Sequence, residues 1–453
     1  MMERQGDSQV CMMIVDLDQF VPANHLLRQI KRKVDFTFIY DKVKHLYKPG
    51  GRPAEPVLLV RMWLIGYLYG ITSERRLEQE VNMNLAYRWF LGLPLDQRVP
   101  DHSTLSNNRN GRFKDGTLFL GVFEGIVEQC KQAGLIKGEA VLTDSTHVEA
   151  NVNDDLRETI TVTKAPSEYF KELEATAQEL NAAADEQRIG KKRGPKGGGS
   201  IAKPQEREEV QNTTDPDARL LGRPGKPSGF HFLAHVTVEP THGIIVDAMA
   251  TAANLSDHEP YVECIRRTMT RTKVSEAAAD AGYDFISVHK PLGDLGITTY
   301  IPAVEHRSGS TDGSRFTVRD FVYDPDTDSF RCPGGKFLHF RSVQDFDKQY
   351  RAKQRDCQTC PLASQCLAPS KKFRTLKRPI HQEYLDRAHE RNNSPQYYDL
   401  QKQRRIWCEG TFAIMKARHG LRRAMRRGLA KMQEQLLMAS VAMNLCRMVA
   451  ATP

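Results

Sequence analysis

Val141-Leu142-Thr143-Asp144-Ser145-Thr146-His147 decides how this chain is read, because an aspartate closes what is otherwise a short buried strand, predicted over Gly138 to Asp144. A second apolar run, Val274 to Asp280, also ends on an aspartate, in Ala277-Ala278-Ala279-Asp280-Ala281-Gly282-Tyr283. Between them, the alternation of Gly229 to Val238, the turn Pro240-Thr241-His242-Gly243 and a partner strand ending near Thr251 predict a hairpin. An amphipathic helix, Asp257 to Met269, precedes the second aspartate strand. A helix around Ile286 to Leu295 and a fifth extended segment, Thr298 to Pro302, follow it. Strand, strand, strand, helix, strand, helix, strand is a mixed α/β order.

The chain has 453 residues, with 65 Lys plus Arg against 56 Asp plus Glu and a net charge of +9. That length excludes a small module and favours several domains, and the charge points to a polyanionic partner. From about Val21 to Gly121, Pro and Gly punctuation separates predicted helices, an N-terminal all-helical domain with helix-turn-helix character and expected DNA binding. Pro56 should open a buried helix that Gly70 closes. Ser73 should cap a helix over Glu74 to Phe90, with Leu77, Val81, Leu85 and Trp89 as its packing stripe. The longest apolar run, Val57 to Tyr69, is interrupted by Arg61 and falls short of the roughly 18 to 20 residues that span a bilayer. No membrane partner and no secretory signal are expected, which makes the cytoplasm the default address. Between the first two strands lies Asn153 to Ser228, with a charged helical stretch, Ser167 to Arg188. Its run Gly190 to Ser200, with six Gly or Pro, should be a flexible loop.

A third acid completes the pattern. Glu409 lies on a helix predicted over Gln403 to His419, with an extension to Lys431, and is the only acid between Arg404 and Lys431 among nine Lys or Arg. A strand-end Asp is ordinarily a turn or capping residue, so the inference rests on the set. Phosphodiester chemistry needs charge neutralisation at the attacking and leaving oxygens, which two Mg²⁺ ions about 3.5 to 4 Å apart supply, and such hard cations are held by carboxylates. Asp144, Asp280 and Glu409 are therefore the candidate catalytic metal ligands, beside a cationic helix suited to a phosphate backbone.

The wording around these acids resembles the DDE transposases of bacterial insertion sequences. Thr143-Asp144-Ser145-Thr146-His147-Val148-Glu149-Ala150-Asn151 is similar to that family's first-aspartate strand, and Ala279-Asp280-Ala281-Gly282-Tyr283-Asp284 to its second. Arg405-x-x-x-Glu409-x-x-Phe412-x-x-x-Lys416, with Gly420-Leu421-Arg422-Arg423 and Arg427-Gly428, is similar to its glutamate helix. Tyr69-Gly70-Ile71-Thr72-Ser73-Glu74-Arg75-Arg76-Leu77 and Pro100-Asp101-His102-Ser103-Thr104 resemble the helical domain that precedes the catalytic domain in one group. The resemblance implies an RNase H-like catalytic domain with a mixed five-stranded sheet. It implies two Mg²⁺ ions, with Mn²⁺ able to substitute, at Asp144, Asp280 and Glu409. It also implies double-stranded DNA partners, the element's terminal inverted repeats and a target, and a homodimer in a cytoplasmic, nucleoid-associated complex. Hydrolysis would free a 3′-hydroxyl that then attacks target DNA. Arg405 and Lys416, four and seven residues from Glu409, should share its helical face, and Arg405, Lys416, Arg422, Arg423, Arg426 and Arg427 are the expected DNA contacts. A structure-selective nuclease on the same fold and a domesticated, non-catalytic DNA-binding protein are the alternatives. Trp407 reads either as a core residue or as a platform for an unpaired base.

Between the second aspartate and the glutamate, about Ala303 to Arg391, an insertion holds Cys332, Cys357, Cys360 and Cys366 at Cys-x24-Cys-x2-Cys-x5-Cys spacing. The readings are a structural zinc site, reduced structural cysteines, or a redox-sensitive disulfide pair, with His339 as a substitute ligand. The insertion looks too poor in apolar residues to fold independently, and its basic run Lys371-Lys372-Phe373-Arg374-x-x-Lys377-Arg378 suits DNA backbone contact. The other five cysteines, Cys11, Cys130, Cys264, Cys408 and Cys446, are scattered and do not read as a disulfide framework. The expected organisation is a helical DNA-binding domain over residues 1–135, a first catalytic part over 136–302 with the flexible insertion 153–228, the cysteine insertion over 303–391, and C-terminal catalytic helices over 392–453.

Overall fold

The computed structural model describes residues 16–47, 54–164, 167–186, 205–221, 228–304, 315–368 and 370–451. The expected flexible run 190–200 and Cys11 lie outside them. By internal contacts the chain divides into two compact units, one of Met1–Arg157, Gln211–Ala278 and Leu400–Pro453, the other of Glu158–Val210 and Ala279–Asp399.

The first unit joins N-terminal helices to a sheet. Pro56–Tyr69 forms the expected buried helix, entered through Glu55, whose carboxylate accepts from the Val57 and Leu58 amides, and closed by Gly70 in the left-handed region. The helix expected over Glu74 to Phe90 is instead two, Glu74–Met83 and Leu85–Leu91. Asn84 breaks it: its backbone is extended, and its side chain accepts from the Ala86 and Tyr87 amides, which favours a new N-cap over helix continuation. The four-residue stripe breaks with it. Leu77 and Val81 are buried, but Leu85 is exposed and the second helix buries Tyr87, Phe90 and Leu91.

The sheet of this unit is built from β1 (Ala140–Glu149), β2 (Gly229–Val238), β3 (Ile245–Ala252) and β4 (Glu276–Ala278). Their order is β3-β2-β1-β4, with only β1 and β4 parallel. The short strand Arg219–Leu221 pairs with the start of β2. Every residue of β2 is buried, as the central position of this set requires. The C-terminal helix, Leu429–Ala451, packs across this unit on β3 and on the helices Pro56–Tyr69 and Thr117–Gln132. Its amides also occupy the outer edge of β3: Asn444 exchanges hydrogen bonds with Ile245, and Gln433 accepts from Ala250 N–H and donates to Ala248 O. An exposed strand edge is thereby satisfied by side chains.

The second unit carries two strands that the sequence reading did not anticipate, Arg157–Lys164 and Gln205–Asn212, and the helix Glu168–Glu186. The expected fifth extended segment forms as Thr298–Tyr300. The cysteine insertion has a fold of its own. Five antiparallel strands, Val322–Asp324, Ser329–Arg331, Phe337–Gln344, Asp347–Ala352 and Thr375–Pro379, pair in sequence order. They close on Phe321, Phe330, Leu338, Tyr350, Ala352 and Leu376. Few of the insertion's residues are apolar, but alternation puts them on one face. Among the described residues no single helix is long and apolar enough to cross a membrane.

Candidate active site

Asp144 does not end its strand, as expected, but sits mid-way along β1 opposite Val236. The parallel pairing with β4 stops at Leu142–Ala278, whereas the antiparallel pairing with β2 continues to Glu149. Asp144 therefore stands where β1 has lost its neighbour on one side, half-buried, with one oxygen accepting from Ser145 N–H at 2.8 Å. The other oxygen accepts from Arg404 Nη1 at 3.0 Å, in an ion pair whose side chains are only 11% and 16% exposed.

Arg404 reaches this position because the helix is not α-helical throughout. Pro395–Arg404 is followed by a π-helical turn, Arg405–Glu409, and then by Gly410–Arg418. A π turn closes its hydrogen bonds over five residues, and Arg404 is the residue immediately before it. Arg405 and Glu409, at the two ends of this turn, are both exposed. Buried Cys408 lies among these groups. Burial pushes its thiol above the usual range and the Asp144 charge adds to that, with Arg404 and Arg447 opposing and Glu409 contributing in the same sense as Asp144. Trp407 has a packing role: it lies under Arg447 and against the hairpin turn at Gly243, where a methyl group would come within 2.3 Å of its ring.

The expected extension of this helix to Lys431 does not form. Gly420 adopts φ +71°, Leu421 N–H returns to Met415 O, and a loop runs to the Leu429–Ala451 helix. That loop is firmly held. Gln435 accepts from Met425 N–H and donates to Gly420 O and Arg423 O, and Ala424 N–H donates to Glu149 O at the end of β1. Arg422 and Arg427 are exposed, Arg427 donating to Asn151 O. Arg423 approaches Glu149 at 3.5 Å, with both side chains about half exposed. Arg426, by contrast, is engaged inward with Glu434, which is almost fully buried and also receives Lys431. Lys416 is half-buried on Gly410–Arg418.

Asp280 belongs to the second unit, two residues beyond the end of β4. Its Oδ1 accepts from Gly282 N–H at 2.8 Å and caps the turn Ala281–Tyr283. The residue that ends this turn, Asp284, is clamped: it accepts from His289 at 3.1 Å, His389 at 2.9 Å and the Val304 amide at 2.7 Å. Burial works to raise its pKa, but the hydrogen bonds from the two histidines prevail and hold it below the usual carboxylate range. The sequence reading missed Arg404, Gln435 and this clamp. Among the described residues no three His, Cys, Asp or Glu side chains stand as a ready-made metal-holding group.

Two family models match the chain. "Transposase domain (DUF772)" matches residues 15–111, the N-terminal helices, and "Transposase DDE domain" matches residues 331–449, which include Glu409 and the loop at Arg422. The chain belongs to the DDE transposases of insertion sequences. Neither match reaches Asp144 or Asp280. The mixed sheet and helices of this transposase constitute an RNase H-like fold, with an N-terminal helical region. No curated protein matches this transposase. Among solved structures, the cryo-EM structure of a piggyBac transposase synaptic complex with hairpin DNA is similar at 10% identity and a TM-score of 0.36, covering 94% of this chain and 75% of that one.

Proposed function

We propose that this transposase binds the terminal repeats of its element, cuts DNA at the element ends and joins the freed 3′-hydroxyl to target DNA, acting as a homodimer on two ends. Asp144, Asp280 and Glu409 are the residues that hold the divalent metals, Mg²⁺ with Mn²⁺ as a substitute. Their chemistry fits: all three donors are carboxylates, which suit hard cations, and Asp144 is half-buried where a ligand oxygen could be shared with substrate. When bound, two such ions neutralise charge on the attacking and leaving oxygens. The single observation that carries this reading is the Asp144–Arg404 pair, which draws the π turn ending in Glu409 to the open flank of β1.

In this reading Arg404 holds Asp144 until a cation or a substrate phosphate takes over, and then its guanidinium is free to turn to the phosphate. Gln435 keeps the basic loop rigid, so that Arg422, Arg423 and Arg427 grip the DNA backbone with little ordering cost. Arg405 and Lys416 extend that contact along the helix. Arg426, bound to Glu434, serves the fold first. The test is a labelled duplex made from the inverted repeats that flank the reading frame, incubated with Mg²⁺ and a target plasmid. End cutting followed by strand joining is expected. Cutting without joining would favour a structure-selective nuclease, and specific binding without cutting a domesticated DNA-binding protein.

A further inference from the structure

We propose that Cys332, Cys357, Cys360 and Cys366 bind one Zn²⁺ as a tetrathiolate, structural site inside the small five-stranded module of the second unit. The four cysteines come from three separate places: the turn after Ser329–Arg331, the helix Gln354–Gln358 with the residues just beyond it, and the helix Ala363–Cys366. They nevertheless line one cavity of about 30 Å³. None is in a disulfide. His339, the alternative ligand in the sequence, does not line the cavity and stacks on Phe337 instead.

The turns around the thiols are built to present sulfur. In Cys332-Pro333-Gly334-Gly335-Lys336, the Cys332 amide donates to Lys336 O at 2.8 Å and the Gly335 amide to Cys332 O at 2.8 Å. The Lys336 amide then donates to Cys332 Sγ at 3.2 Å, which fixes where the sulfur sits over the turn. The second turn repeats part of this pattern, with the Cys360 amide donating to Cys357 O. Gly334 shows how closely the two turns face each other: a methyl group there would lie 3.4 Å from Cys360 Sγ and 3.8 Å from Cys332 Sγ. A methyl group there would touch both sulfurs at ordinary contact distance.

Charge and energetics favour the same occupant. Four thiolates on Zn²⁺ leave a net charge of −2, and Lys336 and Arg374 line the cavity against Asp356. Thiolate donors select zinc over the hard cations proposed for the three carboxylates. The four thiols line one cavity, and zinc binding there, each thiol giving up its proton to solvent, would be coupled to the stability of the module. That module closes on six buried side chains, a small core of the kind that natural domains supplement with a staple. Leu338 and Ala352 belong both to that core and to the cavity wall.

The experiment measures zinc in the full-length protein purified under reducing conditions without chelator. About one zinc per chain is expected, and Glu409→Gln should retain it, since that residue belongs to the other proposed metal set. Cys357→Ser with Cys360→Ser should lose it. If that variant does not fold, Co²⁺ added to the chelated wild type gives the independent readout, a thiolate-to-cobalt charge-transfer band that Zn²⁺ abolishes. Reduced, folded wild type that holds less than about half an equivalent and takes up neither metal would overturn the proposal, as would full zinc retention in the double variant.

Discussion

Gly243→Ala tests how the glutamate's π turn is held in place. Gly243 sits in the β2–β3 turn at φ +74°, and a Cβ there would lie 2.3 Å and 2.5 Å from two ring carbons of Trp407 and 3.0 Å from Arg447 Cζ. Ordinary carbon contacts lie at about 3.5 Å or beyond, so the indole must shift by about 1.2 Å. Trp407 is two residues before Glu409 and under Arg447, whose guanidinium also holds Gly243 O and, at 2.6 Å, Thr411 Oγ1. The left-handed backbone costs alanine about 1 to 2 kcal/mol, and overpacking adds about 1 to 3 kcal/mol. Gly92→Ala is the control: Gly92 has φ +72° and nothing within 4 Å of its added methyl, so it reports backbone strain alone. Urea unfolding followed by tryptophan fluorescence should therefore show Gly243→Ala less stable than Gly92→Ala by about 1 to 3 kcal/mol. End cutting, compared at equal folded fraction, should fall in Gly243→Ala only. Equal destabilisation by the two substitutions, with unchanged cutting, would refute the seat assigned to Trp407.

Further outcomes follow from the same geometry. His235, buried on β2 and bonded to Thr251 Oγ1 at 2.9 Å, is pushed down to about 4 by burial, with His147 acting the same way and Asp257 opposing. An unfolded histidine takes its proton near 6.5, so between these values the unfolded chain binds the extra proton and stability falls as pH drops. The loss should reach about 3 kcal/mol near pH 4, with no His235 contribution above about pH 6.5. His235→Gln should flatten that part of the stability profile, and an unchanged slope would count against it. Arg404→Gln frees Asp144 from its cation, so Mn²⁺ should stabilise this variant against heat more than wild type; a smaller metal effect contradicts competition between Arg404 and metal. Arg422→Ala should weaken duplex binding and reduce the slope of log affinity on log salt by about 0.9. Arg426→Ala should instead lower stability and leave that slope unchanged, because it removes one of the two cations that pair with buried Glu434 and leaves only Lys431; the reverse pattern would invert the roles given to the two arginines.

What the sequence revealed and what it hid have physical causes. Strands with alternating or continuous apolar residues, β1 to β4, were legible from period alone. Gln205–Asn212, with sequence Gln-Glu-Arg-Glu-Glu-Val-Gln-Asn, was not, because its pairing owes nothing to an apolar face. Asn84 was misjudged since a single cap outweighed a helical period running through it. Asp144, Glu409 and the arginines after Gly420 stand out as candidates from residue type and order alone. Arg404 does not, because its pairing with Asp144 joins residues 260 positions apart, next to a π turn that no residue pattern announces. Gln435 was equally hidden: its three bonds go to backbone that ten to fifteen residues of loop bring back to the helix. The apolar face of the cysteine module was visible only once its hairpins fixed which residues alternate inward.

The central claim, that Asp144, Asp280 and Glu409 jointly hold the catalytic metals, is tested most directly by titrating Mg²⁺ and Mn²⁺ against wild type, Asp144→Asn, Asp280→Asn and Glu409→Gln on one labelled terminal-repeat duplex. Binding of the duplex in the absence of metal serves as the folding control. Each variant should bind DNA as wild type does yet lose cutting by at least about a thousandfold, the scale of several kcal/mol of lost charge stabilisation. Wild-type cutting by any one of them at saturating Mg²⁺ would remove that residue from the site, and with it the account of how this transposase breaks DNA.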